Sequence, residues 1–396
     1  MKLRDIMGKT PDGHKRTEQA DTGAHLSSLP ASTGLVDDVF SPLELTRSPF
    51  RPIFNHREAH AVSGAVKLAS KIFEPSQRNN LSVRQNVDLP LMPHAVDVAF
   101  QLLGAGAPPV AVVAGLLHDS FAGYVKGARD LLAKNIDRKF GSLSKTGSVS
   151  GLLDIVAKPD RSEAAVWLER KNKIVGAILE TVRPEDMRAS PYSPEDVKFM
   201  VKAVWSAHNL FLSANPRPWG PQERLSMFRH AADVGLLLAC AGQPKEVVAA
   251  GIMHDFYERY VKEPAIELIE QHVISEFGAD VHEIIAAVTE PPKLSNSLNW
   301  WQRKLTVVQS LKEKDERANT VVCAAKISTI AEGNKFLHSA GSIKGWSAGT
   351  WDDNHRVFVG LGELFAEKGV CPSLMSRYDL ELKRWRSHDP SKKTVH

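Results

Sequence analysis

Cysteine is scarce in this chain. Its 396 residues include only Cys240, Cys323 and Cys371, far apart and with no CxxC pair. A sparse, odd set excludes a disulfide framework and suits a reducing compartment, so a cytoplasmic location is expected. Long hydrophobic runs are missing too: no stretch reaches the roughly 18 apolar residues of a membrane span. The N-terminus shows no apolar segment after its first charges, so neither a membrane partner nor a secretory signal is expected. Charge of one sign is equally lacking. Fifty basic and 46 acidic residues leave a formal net charge of +4, without the concentrated basic face of a nucleic-acid binder. Alternating β-branched patterns are rare, which removes the usual signature of a sheet. The GxG strings at Gly104 and Gly360 follow no strand and read as helix connections, not nucleotide loops.

What remains is helical. Residues 1–55 are rich in Ser, Thr, Pro, Gly and charge and read as a flexible segment. From His56 apolar residues recur at three-to-four spacing. Val110–Leu117 is apolar on every face and ends in His118-Asp119. A helix of that kind is buried, so its polar end needs partners. The expected fold class is all-α.

The organisation comes from a repeat. His94–Lys126 and His230–Lys262 are identical at 16 of 33 positions without a gap, including the His, Asp, Pro, Gly, His-Asp, Tyr and Lys positions. Shared helix composition does not reproduce those polar matches in register. A second patch matches Trp167, Arg170 and Lys171 with Trp300, Arg303 and Lys304. The chain therefore reads as a tandem duplication, with repeat 1 over 56–215, repeat 2 over 216–385 and a polar tail at 386–396.

In each repeat one histidine, His94 or His230, precedes a His-Asp pair by 24 positions: His118-Asp119 and His254-Asp255. Adjacent imidazole and carboxylate with a third imidazole suit a divalent metal. Asp97 and Asp233, three residues after the first His, share its helix face and read as hydrogen-bond partners of that ligand more readily than as ligands.

The order of these motifs resembles the HD-domain metal-dependent phosphohydrolases. It runs from His94 and Val98 to Gly115-Leu116-Leu117-His118-Asp119, then Glu276-Phe277-Gly278 through Val288-Thr289-Glu290, an aromatic stretch with Arg303-Lys304, and a late helix from Glu316. The nearest branch is the hydrolase domain of the alarmone (ppGpp) synthetase/hydrolases. The resemblance implies Mn or Fe as cofactor and hydrolysis of a phosphorylated small molecule, a nucleotide or alarmone. His94, His118 and Asp119, and again His230, His254 and Asp255, are the implied metal ligands, with Asp255 and Glu258 catalytic in repeat 2. Arg170, Lys171, Arg303 and Lys304 are candidates to face phosphates, and equally to line a solvated helix face. The chain departs from the family pattern at two points. Ala122 stands where Glu258 stands in repeat 2, and the late aspartate ligand is replaced by Ala325 and, aligning VWSAHNL with VCAAKIS, by Ala207. These departures support the alternative of a degenerate HD pair that binds a nucleotide or a protein as a regulatory module. A homodimer is compatible with either reading.

Overall fold

The computed structural model describes residues 51–78, 91–121, 126–143, 148–156, 167–211, 217–218, 224–225, 227–259, 265–290, 300–347 and 349–390. The fold is all-α, as expected; the one sheet among the described residues pairs Arg217–Pro218 with Arg224–Leu225. No described helix is long and apolar enough to cross a membrane.

The first half runs through α1 (His56–Arg78), α2 (Leu91–Gly104) and α3 (Pro109–Leu117). A short 3-10 turn, His118–Phe121, leads on to α4 (Lys126–Phe140), α5 (Val149–Val156) and α6 (Trp167–Leu179). The second half begins with α7 (Pro194–Phe211), α8 (Met227–Cys240) and α9 (Lys245–Met253). It continues through α10 (Phe256–Arg259), α11 (Ala265–Phe277), α12 (Ala279–Val288), α13 (Trp300–Leu311) and α14 (Glu316–Ala340). Two further helices, α15 (Trp351–Glu367) and α16 (Pro372–Ser387), close the chain.

The halves pack by the same plan. α2 lies on α3 as α8 lies on α9, and α5 covers α3 as α12 covers α9. α4 packs on α5 as α11 packs on α12. α6 touches α2, α3 and α5; α14 touches α8, α9 and α12. The helix that opens each half is shared. α1 sits on its own α3 and also across on α8, whereas α7 sits on its own α9 and across on α2.

That correspondence reaches single residues. Phe54, Ala65, Val66, Ala69 and Phe73 stand 138 positions before Tyr192, Ala203, Val204, Ala207 and Phe211, and all ten are buried. Both opening helices start with a capping box, which satisfies backbone donors at the first turn. Asn55 Oδ1 accepts from the Glu58 amide at 3.1 Å while Glu58 Oε2 accepts from the Asn55 amide. Ser193 Oγ accepts from the Asp196 amide at 3.2 Å while Asp196 Oδ2 accepts from the Ser193 amide. Each capping acid then takes a cation: Arg188 donates to Glu58 and Lys245 to Asp196.

Three sequence expectations change here. The boundary expected at 215/216 falls after the first helix of the second half, because α7 corresponds in packing to α1. Residues 51–55, expected to be flexible, are docked instead: Ile53 and Phe54 are buried, and both amides donate to the Cys240 carbonyl. The match of Trp167 with Trp300 aligns α6 with α13, but in packing α6 corresponds to α14. One contiguous core joins the halves.

Candidate metal centre

Each cluster is made by a crossing of two helices. In the first half Gly115 faces α2 so closely that a Cβ there would stand 2.5 Å from Leu102 Cδ1 and 3.1 Å from Val98 Cγ1. In the second half Gly251 does the same against Leu238, at 2.2 Å, and Val234, at 3.3 Å. Three residues on, the backbone delivers His118 and His254 beside the histidine of the neighbouring helix. The rings of His94 and His118 meet edge to face at 4.9 Å, and those of His230 and His254 at 5.1 Å.

The same two glycines fix the tautomers. His118 Nδ1 lies 2.7 Å from the Gly115 carbonyl and His254 Nδ1 lies 2.8 Å from the Gly251 carbonyl. A carbonyl only accepts, so each Nδ1 carries a proton, and in the neutral form of the ring Nε2 turns a lone pair to the cluster. In the first cluster His118 Nε2 stands 3.1 Å from His94 Nε2 and 3.1 Å from Asp119 Oδ2, with His94 Nε2 at 4.0 Å from that oxygen. A lone pair facing a carboxylate at that range is repulsive, and either a proton on Nε2 or a cation between the two relieves it. Two ligands each about 2.1 Å from a common ion stand roughly 3.0–3.4 Å apart, a spacing that the two 3.1 Å edges match and the 4.0 Å edge exceeds. The second cluster is wider, with His254 Nε2 at 3.6 Å from Asp255 Oδ1. In each cluster one donor atom from each of the three residues lies within 4.8 Å of the others. Five of the six side chains are buried and His254 is nearly so. Both triads expected from the sequence are thus brought together, and both can hold a divalent ion.

Asp97 and Asp233 lie one turn beyond the first histidine and are fully buried. Asp97 receives Lys171 Nζ on both oxygens, at 3.2 and 3.1 Å, with Trp205 Nε1 and Gln101 Nε2 at 3.3 Å. Asp233 instead accepts the Ser328 hydroxyl at 2.6 Å, and Ser328 Oγ in turn faces His230 Nδ1 at 3.2 Å. Its cation is Lys67, 3.7 Å away and shared with Glu332. Each aspartate therefore has one lysine, drawn from a different place. Lys171 belongs to α6, of the same half as Asp97; Lys67 belongs to α1, of the opposite half from Asp233. Lys67 and Trp205 occupy corresponding positions on α1 and α7, and Lys171 takes the place beside Asp97 that Ser328 takes beside Asp233.

The sequence-derived phosphate candidates are otherwise engaged. Lys171 is buried on Asp97. Lys304 is ion-paired with Glu290, and Arg303 lies 3.7 Å from the same carboxylate. Burial would raise the Glu290 carboxyl, but the charge and hydrogen bond of Lys304, with Lys326 and Arg303, hold it below the usual range. The Arg170 side chain and Ala122 lie outside the described residues. Glu258, half-buried one turn after Asp255, accepts from the Glu290 amide at 3.2 Å.

Ala325 is buried one turn before Ser328 on α14, where the resemblance expects a carboxylate. The assignment of Ala207 to that role changes: Ala207 lies on α7, in the place Ala69 holds on α1. The helix corresponding to α14 is α6, and three residues before Lys171 it carries Leu168. Neither residue offers a ligand atom. Ser328, Lys67 and Trp205 were not singled out in the sequence, although Ser328, three residues after Ala325, shares its helix face.

No family model and no curated protein matches the chain. Among solved structures it is similar to the lmo0812 protein of Listeria monocytogenes EGD-e, solved at 1.85 Å, at 24% identity over 39% of this chain and 96% of that one. The TM-score is 0.33, a level at which the likeness carries no argument.

Proposed function

We propose that the chain is a tandem pair of HD-type domains and that the second cluster is the centre of a metal-dependent hydrolase acting on a phosphorylated small molecule, a nucleotide or alarmone. The reading rests on one observation above the others: in both halves an imidazole is held by a backbone carbonyl so that its Nε2, a second imidazole and a carboxylate oxygen converge. His230, His254 and Asp255 would hold Mn or Fe. A bound divalent ion supplies Lewis acidity and an acidified water. Glu258, one turn after Asp255, is the carboxylate that would take a proton from water, and the Glu290 amide fixes one of its oxygens. Lys304 and Arg303 meet a phosphate only when they exchange Glu290 for it.

The test is hydrolysis of a panel of nucleotides and phosphomonoesters by Mn²⁺-loaded protein. Turnover should fall at least 100-fold in Asp255→Ala and about 100-fold or more in Glu258→Gln. Protein that neither retains metal nor turns over any member of the panel with added Mn²⁺ rejects the reading. For the first cluster a binding or regulatory role is favoured, because Lys171 takes both oxygens of Asp97.

A further inference from the structure

We infer that Ser328 is the positioning residue that gives the second cluster the higher metal affinity, and that Lys171, in the corresponding place, denies the first cluster that advantage. The inference rests on the metal-binding reading above and adds to it an ordering of the two sites and the residues that set it.

The geometry is directional. Ser328 Oγ stands 2.6 Å from Asp233 Oδ2 and 3.2 Å from His230 Nδ1. A carboxylate only accepts, so the hydroxyl proton points to Asp233 and the oxygen accepts Nδ1–H from His230. The chain of bonds keeps the His230 Nε2 lone pair toward His254 and Asp255. It also passes negative charge from Asp233 into the ring, which makes the ring a stronger donor. In the first half the ammonium of Lys171 stands on both oxygens of Asp97, and Trp205 and Gln101 donate to them as well. Of these donors, Lys171 and Trp205 have no lone pair to offer an imidazole N–H. An ammonium cannot relay: it has three donors and no acceptor.

The arrangement also explains why the exchange took two positions. A buried aspartate needs one cation. Where α14 supplies a hydroxyl, α1 supplies Lys67; where α6 supplies Lys171, α7 supplies the neutral Trp205.

Mn²⁺ binding by titration calorimetry separates the sites when each is measured with the other disabled, in His94→Ala for the second cluster and His254→Ala for the first. The second cluster should bind at least 10-fold more tightly. Adding Ser328→Ala should weaken it about 10- to 100-fold, the usual cost of losing the partner of a ligating histidine, and Ser328→Thr should restore most of the affinity. Lys171→Ser with Trp205→Lys should tighten the first cluster. Equal affinities, or a Ser328→Ala variant that binds unchanged, overturn the inference while the metal reading stands. Absence of Mn²⁺ binding at both clusters overturns the metal reading and this inference together.

Discussion

The two clusters share ligands, tautomers and supporting glycines, yet the tighter triad is the one with the poorer surroundings. The first holds His118 Nε2 at 3.1 Å from both His94 Nε2 and Asp119 Oδ2; in the second, His254 Nε2 stands 3.6 Å from Asp255 Oδ1. The second, however, has the Ser328 relay, and Glu258 lies one turn after Asp255. Ligand geometry alone would rank the first cluster as the better metal site. The groups one layer out reverse that order, because they decide what each histidine can donate.

The largest effect should come from removing one histidine at a time. His254→Ala should abolish metal-dependent turnover, at least 100-fold, whereas His118→Ala should leave it within about threefold; this follows from losing or keeping the acidified water. Equal losses would mean that the two clusters act as one site.

Next comes the lysine exchange. Lys171→Ala leaves Asp97 buried without its cation and should cost about 3–5 kcal/mol in urea unfolding. Lys67→Ala should cost less, roughly 1–2 kcal/mol, because Lys67 is partly exposed and Arg229 remains on Glu332. A reversed order would break the assignment of one lysine to each aspartate.

Much of this was legible in the sequence, and what was not has a physical cause. The two triads are visible because His94, His118 and Asp119 align with His230, His254 and Asp255 without a gap. The correspondence of α1 with α7 was hidden. Only Ala65, Val66, Ala69 and Phe73 keep their identity in α7, since packing against a core fixes size and periodicity more than residue type. With that correspondence hidden, the sequence places Ala207 at a ligand position and the boundary after α7. Lys171 and Lys304 could not be separated from phosphate-binding lysines by sequence, because what decides their role is the carboxylate each meets across the fold.

A third pair tests whether the halves brace one another equally. Gly106 and Gly242 have φ of +77° and +71°, and a Cβ on either would stand 2.0 and 2.3 Å from the carbonyl oxygens of Arg188 and Arg51. Gly106→Ala and Gly242→Ala should each destabilise by about 2–4 kcal/mol and agree within about 1 kcal/mol, measured by urea midpoint. A large difference would show that one half stands without its contact to the other.

The smallest effect concerns pH. Burial lowers His208 from 6.5 to about 4, whereas the corresponding residue of α1 is Ser70. The folded state refuses a proton that the unfolded state takes, so stability falls as pH drops through 6.5 toward 4. Between pH 7 and 5 that loss should be on the order of 1–2 kcal/mol, and His208→Ser should flatten it. An unchanged slope in thermal midpoints would place the proton elsewhere.

Because α1 and α7 each lie on both central helix pairs, the molecule has no seam at its midpoint. A gene divided between codons 215 and 216 would give one polypeptide carrying both shared helices and another carrying the richer metal cluster with neither. The second piece would present the bare faces of α8 and α9 to water and should precipitate when expressed alone. Expressed together, the two should recover each other, as complementing fragments of a single cooperative unit.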